Sequence, residues 1–265
     1  MRQKINYSLE ELALKQLQFS EQYCESSCKS YHASWAVLRA HGLVGGIDSD
    51  KENYCDIINS LFDSKEKVRI LIAGCADSGI LNMVLSSNLE NYTIDIVDRC
   101  QTPLLSSKKG LNFDENVFIY QSDLLEFQPT HSYDLIVCHS LLPFFDDFGR
   151  KKLLSLFSNW LDFKGKVIVS LREKLEHQDK ISVEEKTIKG YEQLKSNLSI
   201  EDLKNYYTII ENQNLPYYSF DEGVKEFTNA NLKVISTFYG GIGKSFSSTY
   251  GKPRSFIFLA SKGKR

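Results

Sequence analysis

The sequence predicts a doubly wound α/β fold, in which a mostly parallel sheet is covered by helices on both faces. From residue 67 onward, short apolar runs alternate with stretches of helical periodicity, which is the pattern of parallel strands joined by helices. A glycine-bearing turn joins the first apolar run to the helix that follows it. Two more strand-like runs close the chain after a long charged stretch. We therefore expect one sheet-based domain that carries helical additions.

Seven short runs are the candidate strands, because each is apolar and bounded by polar or turn residues. They cover residues 68–73, 92–97, 117–120, 133–138, 167–170, 232–239 and 254–260. The helical stretches between the first five runs predict parallel pairing. A Gly/Ser-rich loop over residues 240–253 joins the last two.

Helical additions are predicted before the first strand and after the fifth. Ser8 and Glu11 have the spacing of a capping box, and apolar residues at three- and four-residue intervals follow them. Residues 1–66 are therefore expected to form an N-terminal helical cap. Residues 173–231 are highly charged and contain further capping signals, so we expect a helical insertion there. Residues 67–172 and 232–265 then form the sheet core.

The charge balance excludes some classes of partner. The chain has 265 residues, with 32 Lys and Arg against 34 Asp and Glu, for a net charge of −2. A nearly neutral chain lacks the field that attracts nucleic acid or an anionic membrane, so neither is expected as a partner. The sequence begins without a signal-peptide apolar region, and no run reaches the roughly 18 apolar residues of a membrane span. We therefore expect a cytoplasmic protein.

The six cysteines are scattered along the chain, and several lie in apolar runs as small buried residues do. Cys24 and Cys28 are four residues apart on a predicted helix, where two zinc ligands could share one face. No second Cys/His pair at ligand spacing completes such a site. The sequence therefore favours reduced thiols and predicts no metal site.

The turn after the first strand carries the clearest functional signal. Gly74 permits a tight backbone turn, and Gly79 opens the next helix without a side chain that would block a ligand. About 20 residues further on, the second strand ends at Asp98, where a carboxylate can accept hydrogen bonds from both hydroxyls of a ribose. Alternatively, these residues serve only the fold, the glycines in a tight turn and Asp98 as the cap of the next helix. The order and spacing of strand, turn, helix, second strand and acidic residue favour a nucleoside-cofactor site.

A second acidic position follows the third strand. Asp123 can accept a hydrogen bond from an adenine amine, while Leu124 can lie against the ring. A loop Asp that caps a helix is the structural alternative. The place of Asp123 within the whole pattern favours the functional interpretation.

Together these motifs resemble the class I, Rossmann-like S-adenosylmethionine-dependent methyltransferases over residues 67–172, and more loosely over 232–261. Residues 73–79 look like the glycine-rich first motif of that family, which wraps the methionine end of the cofactor. The resemblance implies a seven-stranded sheet with a C-terminal antiparallel hairpin. It also implies S-adenosylmethionine as cofactor and S-adenosylhomocysteine as product. The cofactor-binding residues that it implies are Gly74, Cys75, Ala76, Asp77, Gly79, Asp98, Arg99, Asp123, Leu124 and His139.

The glycine-rich loop departs from the family pattern. Ile72 stands where the family usually has an acidic residue, Ala76 replaces a common second glycine, and the loop is one residue longer before Gly79. Asp77 or Ser78 can supply the missing polar contact, although either could simply cap the helix. These departures keep a non-catalytic, cofactor-binding protein among the alternatives.

His139 is the candidate general base, because it ends the fourth strand, which in the family faces the reacting methyl group. A base is needed only where the acceptor must lose a proton, and a strand-end histidine bonded to the backbone is the structural alternative. Substrate-binding candidates are Tyr31, Trp35, Ser140 and Arg172. Aromatic residues of the insertion could add to an acceptor wall or simply pack the helices: Tyr206, Tyr207, Tyr217 and Tyr218.

The sequence thus predicts methyl transfer from S-adenosylmethionine to an oxygen or nitrogen atom of a small molecule. Residues 173–231 are the expected acceptor-recognition region. A peptide or protein methyltransferase is one alternative, and a binding protein without turnover is another. A dinucleotide-dependent oxidoreductase is the third, and the predicted C-terminal hairpin disfavours it. Residues 214–217 spell Asn-Leu-Pro-Tyr, a motif of adenine N6-methyltransferases, but they follow the fifth strand instead of ending the fourth. We interpret them as a turn.

Overall fold

The computed structural model describes residues 8–62, 67–110, 114–174, 181–194, 198–217, 219–240 and 255–263. Seven strands in these ranges form one sheet in the order β3-β2-β1-β4-β5-β7-β6. The strands are β1 Val68–Ala73, β2 Tyr92–Asp98, β3 Val117–Gln121, β4 Tyr133–His139, β5 Leu161–Arg172, β6 Leu232–Gly240 and β7 Ser255–Lys262.

The first five strands pair in parallel, and β7 is antiparallel to both β5 and β6. The predicted mostly parallel, seven-stranded sheet with a C-terminal antiparallel hairpin is confirmed. Most of the predicted Gly/Ser-rich loop, from residue 241 onward, lies outside the described residues.

Nine α-helices in the described ranges surround the sheet. They are α1 Leu9–Tyr23, α2 Ser26–Ala40, α3 Lys51–Phe62, α4 Gly79–Leu85, α5 Gln101–Gly110, α6 Asp147–Trp160, α7 Val183–Leu194, α8 Ile200–Glu211 and α9 Phe220–Asn229. The capping box predicted at Ser8 is present, since its hydroxyl accepts the Glu11 backbone N–H and the Glu11 carboxylate accepts that of Ser8. The extended backbone of Cys24 and Glu25 separates α1 from α2.

The sheet is buried on both faces, as its continuous apolar strands require. On one face, Phe157 of α6 and Phe227 of α9 pack with fully buried residues of β4, β5 and β7. On the other face, Tyr54 and Ile58 of α3 pack with residues of β1, β2 and α4. The helices α3 and α9 therefore cover the sheet, although they lie in the segments expected as cap and insertion.

A third apolar cluster joins the cap to the insertion. Residues of α1 and α2 pack there against Leu194 of α7 and Leu203 of α8. The Ser30 hydroxyl also donates to Asp202 Oδ1 at 3.0 Å. These four helices form one layer over the carboxyl end of the sheet. Within the described ranges, no helix is long and apolar enough to cross a membrane.

Candidate cofactor and acceptor site

The glycine-rich turn leaves β1, at the centre of the sheet, between β2 and β4. Gly74 has a φ of +75°, a left-handed conformation that favours glycine, and its N–H donates to Val97 O at 2.8 Å. A Cβ at Gly74 would lie 2.8 Å from Leu141 Cδ2, in the loop after β4. The turn therefore requires glycine for its conformation and for the close approach of a neighbouring loop.

Two side chains from the cap fix the rest of this turn. Arg39 of α2 is buried and binds Asp77 Oδ2 through Nη1 at 2.6 Å, while the Gly79 N–H donates to Asp77 Oδ1 at 2.7 Å. Gln16 of α1 donates to Ala76 O at 2.8 Å. A Cβ at Gly79 would lie 2.9 Å from Arg39 Nη1. The observed contacts of Asp77 thus hold the loop to the cap.

Asp98 ends β2 beside this turn and closes it. Its Oδ2 accepts the Cys75 N–H at 2.9 Å, and its Oδ1 accepts the Cys100 N–H at 2.7 Å. Burial raises the pKa of Asp98, although the two backbone N–H groups oppose this shift. No cationic side chain of the described ranges lies within ion-pair distance of its carboxylate. This half-buried carboxylate has lone pairs left for further donors.

The other predicted cofactor residues lie along the same edge. The Ser122 N–H donates to Asp98 O at 3.0 Å, which places the end of β3 next to the end of β2. Asp123 is exposed and accepts the Leu125 N–H at 2.8 Å, while Leu124 is buried in the core. Arg99 is exposed, and its carbonyl accepts from Gln121.

His139 ends β4 on the opposite side of the turn from Asp98. Its Nδ1 lies 2.5 Å from Ser170 Oγ and 3.3 Å from the Tyr54 hydroxyl. Burial lowers the pKa of His139 to about 4, and the positive charge of Arg39 acts in the same direction. The imidazole is therefore neutral near pH 7. Its Nε2 has no hydrogen-bond partner among the described residues.

The backbone turns sharply after His139. Ser140 has a φ of +54°, which is uncommon for a residue with a side chain, and its N–H donates to Ser170 O at 2.7 Å. The bond to β5 offsets part of the conformational strain.

An aromatic cluster lies between the cap, the insertion and the loop after β4. Tyr31 stacks on Trp35 with ring centroids 6.1 Å apart and on Tyr206 at 5.8 Å, and it meets the edge of Phe144 at 5.4 Å. Burial raises the pKa of Tyr31, with added contributions from the negative charges of Asp77 and Asp98. Trp35 Nε1 is buried and has no hydrogen-bond partner among the described residues. The cluster therefore adjoins the turn.

Arg172 ends β5, two residues after Ser170 and on the same face of the strand. Burial lowers its pKa, and the hydroxyl of Tyr206 is the group that opposes this shift. No carboxylate of the described ranges pairs with this guanidinium. Arg172 is thus a half-buried cation beside the aromatic cluster.

The structure adds site residues that the sequence did not indicate. Arg39, Gln16 and Tyr54 contact the turn or His139, yet each lies in the cap, far from these partners in sequence.

The 214–217 turn also reaches the site edge, because the Asn214 N–H donates to Pro143 O at 3.1 Å. Cys24, Cys28, His32 and Cys100 converge behind Asp98. Tyr218 lies outside the described residues. Among these positions, the sequence linked only Cys24 and Cys28, through their four-residue spacing.

Comparison with known proteins gives one curated relative and several structures. No family model matches the chain. Malonyl-[acyl-carrier protein] O-methyltransferase 1 from Ilyobacter polytropus is 24% identical over 193 residues, which cover 70% of this chain and 63% of that protein. The match thus spans less than two thirds of the relative's length.

Two crystal structures resemble this one over most of both chains. The plantazolicin methyltransferase BpumL, in complex with a triazolic desmethylPZN analog and S-adenosylhomocysteine, covers 97% of this chain and 98% of its own, with a TM-score of 0.58 and 15% identity. Magnesium protoporphyrin IX methyltransferase from Synechocystis PCC 6803, with bound S-adenosylhomocysteine, covers 87% and 94%, with a TM-score of 0.55 and 12% identity. The chain therefore has the fold of the class I S-adenosylmethionine-dependent methyltransferases.

Proposed function

We propose that this protein binds S-adenosylmethionine and transfers its methyl group to an oxygen or nitrogen atom of a small-molecule acceptor. The observation that carries the proposal is the placement of Asp98 and His139 on one edge of the sheet, on either side of the turn at Gly74. The two S-adenosylhomocysteine-bound structures with this fold support the choice of cofactor.

The residues at the turn fit this cofactor. Asp98 is a half-buried carboxylate whose oxygens accept two backbone N–H bonds and no cation of the described ranges, so ribose hydroxyls can occupy the remaining lone pairs. Asp123 and Leu124 would hold the adenine at the end of β3. Gly74, Cys75, Ala76 and Gly79 would present backbone to the methionine end, with Arg39 and Asp77 keeping the loop in shape.

When bound, S-adenosylmethionine supplies a methyl group that its sulfonium already activates. The protein then needs to align the acceptor and, for a hydroxyl or ammonium acceptor, to remove one proton. His139 is neutral near pH 7, because its pKa is lowered to about 4. If Nδ1 carries the proton and donates to Ser170 Oγ, Nε2 presents its lone pair to the acceptor.

The acceptor side combines flat apolar walls with one cation. Tyr31, Trp35 and Tyr206 offer aromatic surface. Arg172 adds a half-buried guanidinium that pairs with no carboxylate of the described ranges. Because a guanidinium binds carboxylates in a bidentate manner, we propose that the acceptor is partly aromatic or planar and carries an anionic group. Six free thiols support the proposed cytoplasmic location.

The cofactor is tested first, by thermal unfolding of the protein with S-adenosylhomocysteine and with NAD. We expect stabilisation by S-adenosylhomocysteine alone, since a ligand that binds only the native state raises its stability. A protein that responds to neither ligand would contradict the proposal.

The acceptor is tested by screening small carboxylic acids, amines and phenols for release of S-adenosylhomocysteine. For a carboxylate-bearing acceptor, Arg172→Ala should raise KM roughly 10- to 100-fold, the effect of losing a charged hydrogen bond of about 1.5–3 kcal/mol. The uncharged amide of the same acceptor should show no such change. Arg69→Ala, which removes an exposed arginine side chain on β1, is the matched control. Equal effects on both acceptors would contradict a charge-recognition role.

A further inference from the structure

We propose that Cys24, Cys28, His32 and Cys100 form a structural zinc site that fastens the N-terminal helices to the end of β2. The ligand atoms of these four residues all lie within 4.8 Å of one another. The inference does not depend on the identity of the methyl acceptor, and it replaces the prediction that the chain has no metal site.

The distances within the cluster match a tetrahedral zinc site. Zinc lies about 2.3 Å from a cysteine sulfur, so two sulfurs of a tetrahedral site are about 3.8 Å apart. Here Cys28 Sγ is 3.8 Å and Cys24 Sγ is 3.5 Å from Cys100 Sγ. The Nδ1 atom of His32 is 3.4 Å from Cys24 Sγ. The four side chains are therefore gathered at the spacing that one ion requires, before any ion is added.

The set of donors selects the metal and its role. Three thiolates and one imidazole are a common zinc set, and they suit magnesium and calcium poorly because those ions prefer oxygen ligands. Four protein ligands leave no open position for a water or substrate, so the role is structural. His32 and Cys100 are buried and the other two are half-buried, so the ion would be largely shielded from solvent. The Thr102 hydroxyl lies 3.1 Å from Cys24 Sγ and donates to Phe19 O at 3.2 Å, which holds it beside the cluster.

A disulfide accounts for fewer of these contacts. It would join only two of the sulfurs, at an S–S distance of about 2.05 Å. It would not explain why the third sulfur and His32 also lie in the cluster. Each of the three cysteines comes from a different local setting: the end of α1, the first turn of α2 and the residue before α5. Convergence of all four side chains favours a shared ion.

The site would act on the cofactor pocket through one short connection. The Cys100 N–H donates to Asp98 Oδ1, so a metal bound to Cys100 would fix the backbone that orients this carboxylate. Through Cys24, Cys28 and His32, the same ion would hold α1 and α2, which supply Gln16 and Arg39 to the glycine-rich turn. The metal would thus couple the fold of the cap to the geometry of the turn.

The test measures zinc directly in the full chain, purified under reducing conditions without chelator and then incubated with Zn²⁺ and desalted. We expect about one zinc per chain in the wild type and in Cys55→Ser, a matched control whose thiol contacts Met83 O on α4 instead of the cluster. Cys28→Ser/Cys100→Ser should retain less than about a tenth as much, since two ligands are lost. A wild type without zinc, or equal zinc in the double variant, would overturn the proposal.

A second measurement covers the case in which the double variant does not fold. Cobalt added to the reduced, metal-free wild type should give the visible bands of a tetrahedral ion together with thiolate charge-transfer absorption. His32→Ala should alter those bands. An octahedral spectrum without thiolate bands, or a reversible disulfide between Cys24 and Cys100 in a chain that takes up no metal, would contradict a zinc site.

Discussion

Asp98 is a single side chain that links three parts of the candidate site. It accepts backbone N–H groups from the glycine-rich turn and from the residue before α5, and it faces the position proposed for the ribose. The carboxylate is half-buried, so water only partly replaces a bond that it loses.

We therefore predict that Asp98→Ala weakens S-adenosylhomocysteine binding roughly 10- to 100-fold, which corresponds to about 1.5–3 kcal/mol for bonds to a charged group. Isothermal titration calorimetry measures the dissociation constant. Asp162→Ala, which removes an exposed carboxylate near the start of β5, at the opposite edge of the sheet, is the control and should bind as the wild type does. An unchanged affinity for Asp98→Ala would remove Asp98 from the binding site.

His139 makes the stability of the protein depend on pH, because burial lowers its pKa from 6.5 to about 4. Between these values the unfolded chain binds a proton that the native state does not, so the free energy of unfolding falls as the pH falls. The contribution is fully present above pH 6.5 and is lost by about pH 4, with an upper bound of about 3 kcal/mol.

Urea unfolding at pH 7 and pH 4.5 should therefore show a smaller loss of stability on acidification in His139→Asn than in the wild type. His41→Asn, at an exposed position after α2, is the control and should behave as the wild type does. The same loss in all three proteins would contradict a lowered pKa for His139.

At the scale of elements, α2 contacts the glycine-rich turn through one ion pair. The Arg39 side chain is 7% exposed and that of Asp77 is 13% exposed, so the pair is shielded from water and removal of one partner leaves the other buried. Arg39 also binds the exposed Asp48 through Nε and Nη2. The sequence placed Asp77 in this turn, but nothing in the local pattern indicated an arginine 38 residues earlier as its partner.

We predict that Arg39→Ala lowers the free energy of unfolding by about 3–5 kcal/mol, the usual effect of breaking a buried pair. Asp77→Asn should be less harmful in the Arg39→Met background than in the wild type, because the two residues are coupled. Chemical denaturation of the single and double variants measures the coupling. Additive effects in this cycle would show that the pair does not hold the turn.

At the scale of the whole molecule, the chain has separate apolar clusters on the two sheet faces and between the cap and insertion helices. Leu203 is fully buried in the third cluster, whereas Leu135 lies in the sheet. The cluster between the cap and insertion helices shares few elements with the clusters on the sheet faces. Local unfolding of the helical layer can therefore occur while the sheet stays folded.

Leu203→Ala should therefore increase hydrogen exchange in α2, α7 and α8 and leave β1 and β4 protected. We expect the local stability of the helical layer to fall by about 2–5 kcal/mol, as for other buried Leu→Ala changes. Leu135→Ala should instead lower protection across the sheet. Mass spectrometry of peptic fragments resolves the two patterns. Equal loss of protection in α2 and β1 after Leu203→Ala would contradict a separate helical layer.

The sequence by itself determined the sheet and the edge that carries the candidate site. Strand periodicity, the glycine turn and the acidic strand ends are local properties, and the parallel topology then places Gly74, Asp98 and His139 together. Only the tertiary structure decided that the cap and the insertion share one core, that Arg39 pairs with Asp77, and that His32 and Cys100 join Cys24 and Cys28. Those contacts join residues that are distant in the chain. Periodicity shows which face of a helix is buried, but the partner of that face depends on how the helices pack.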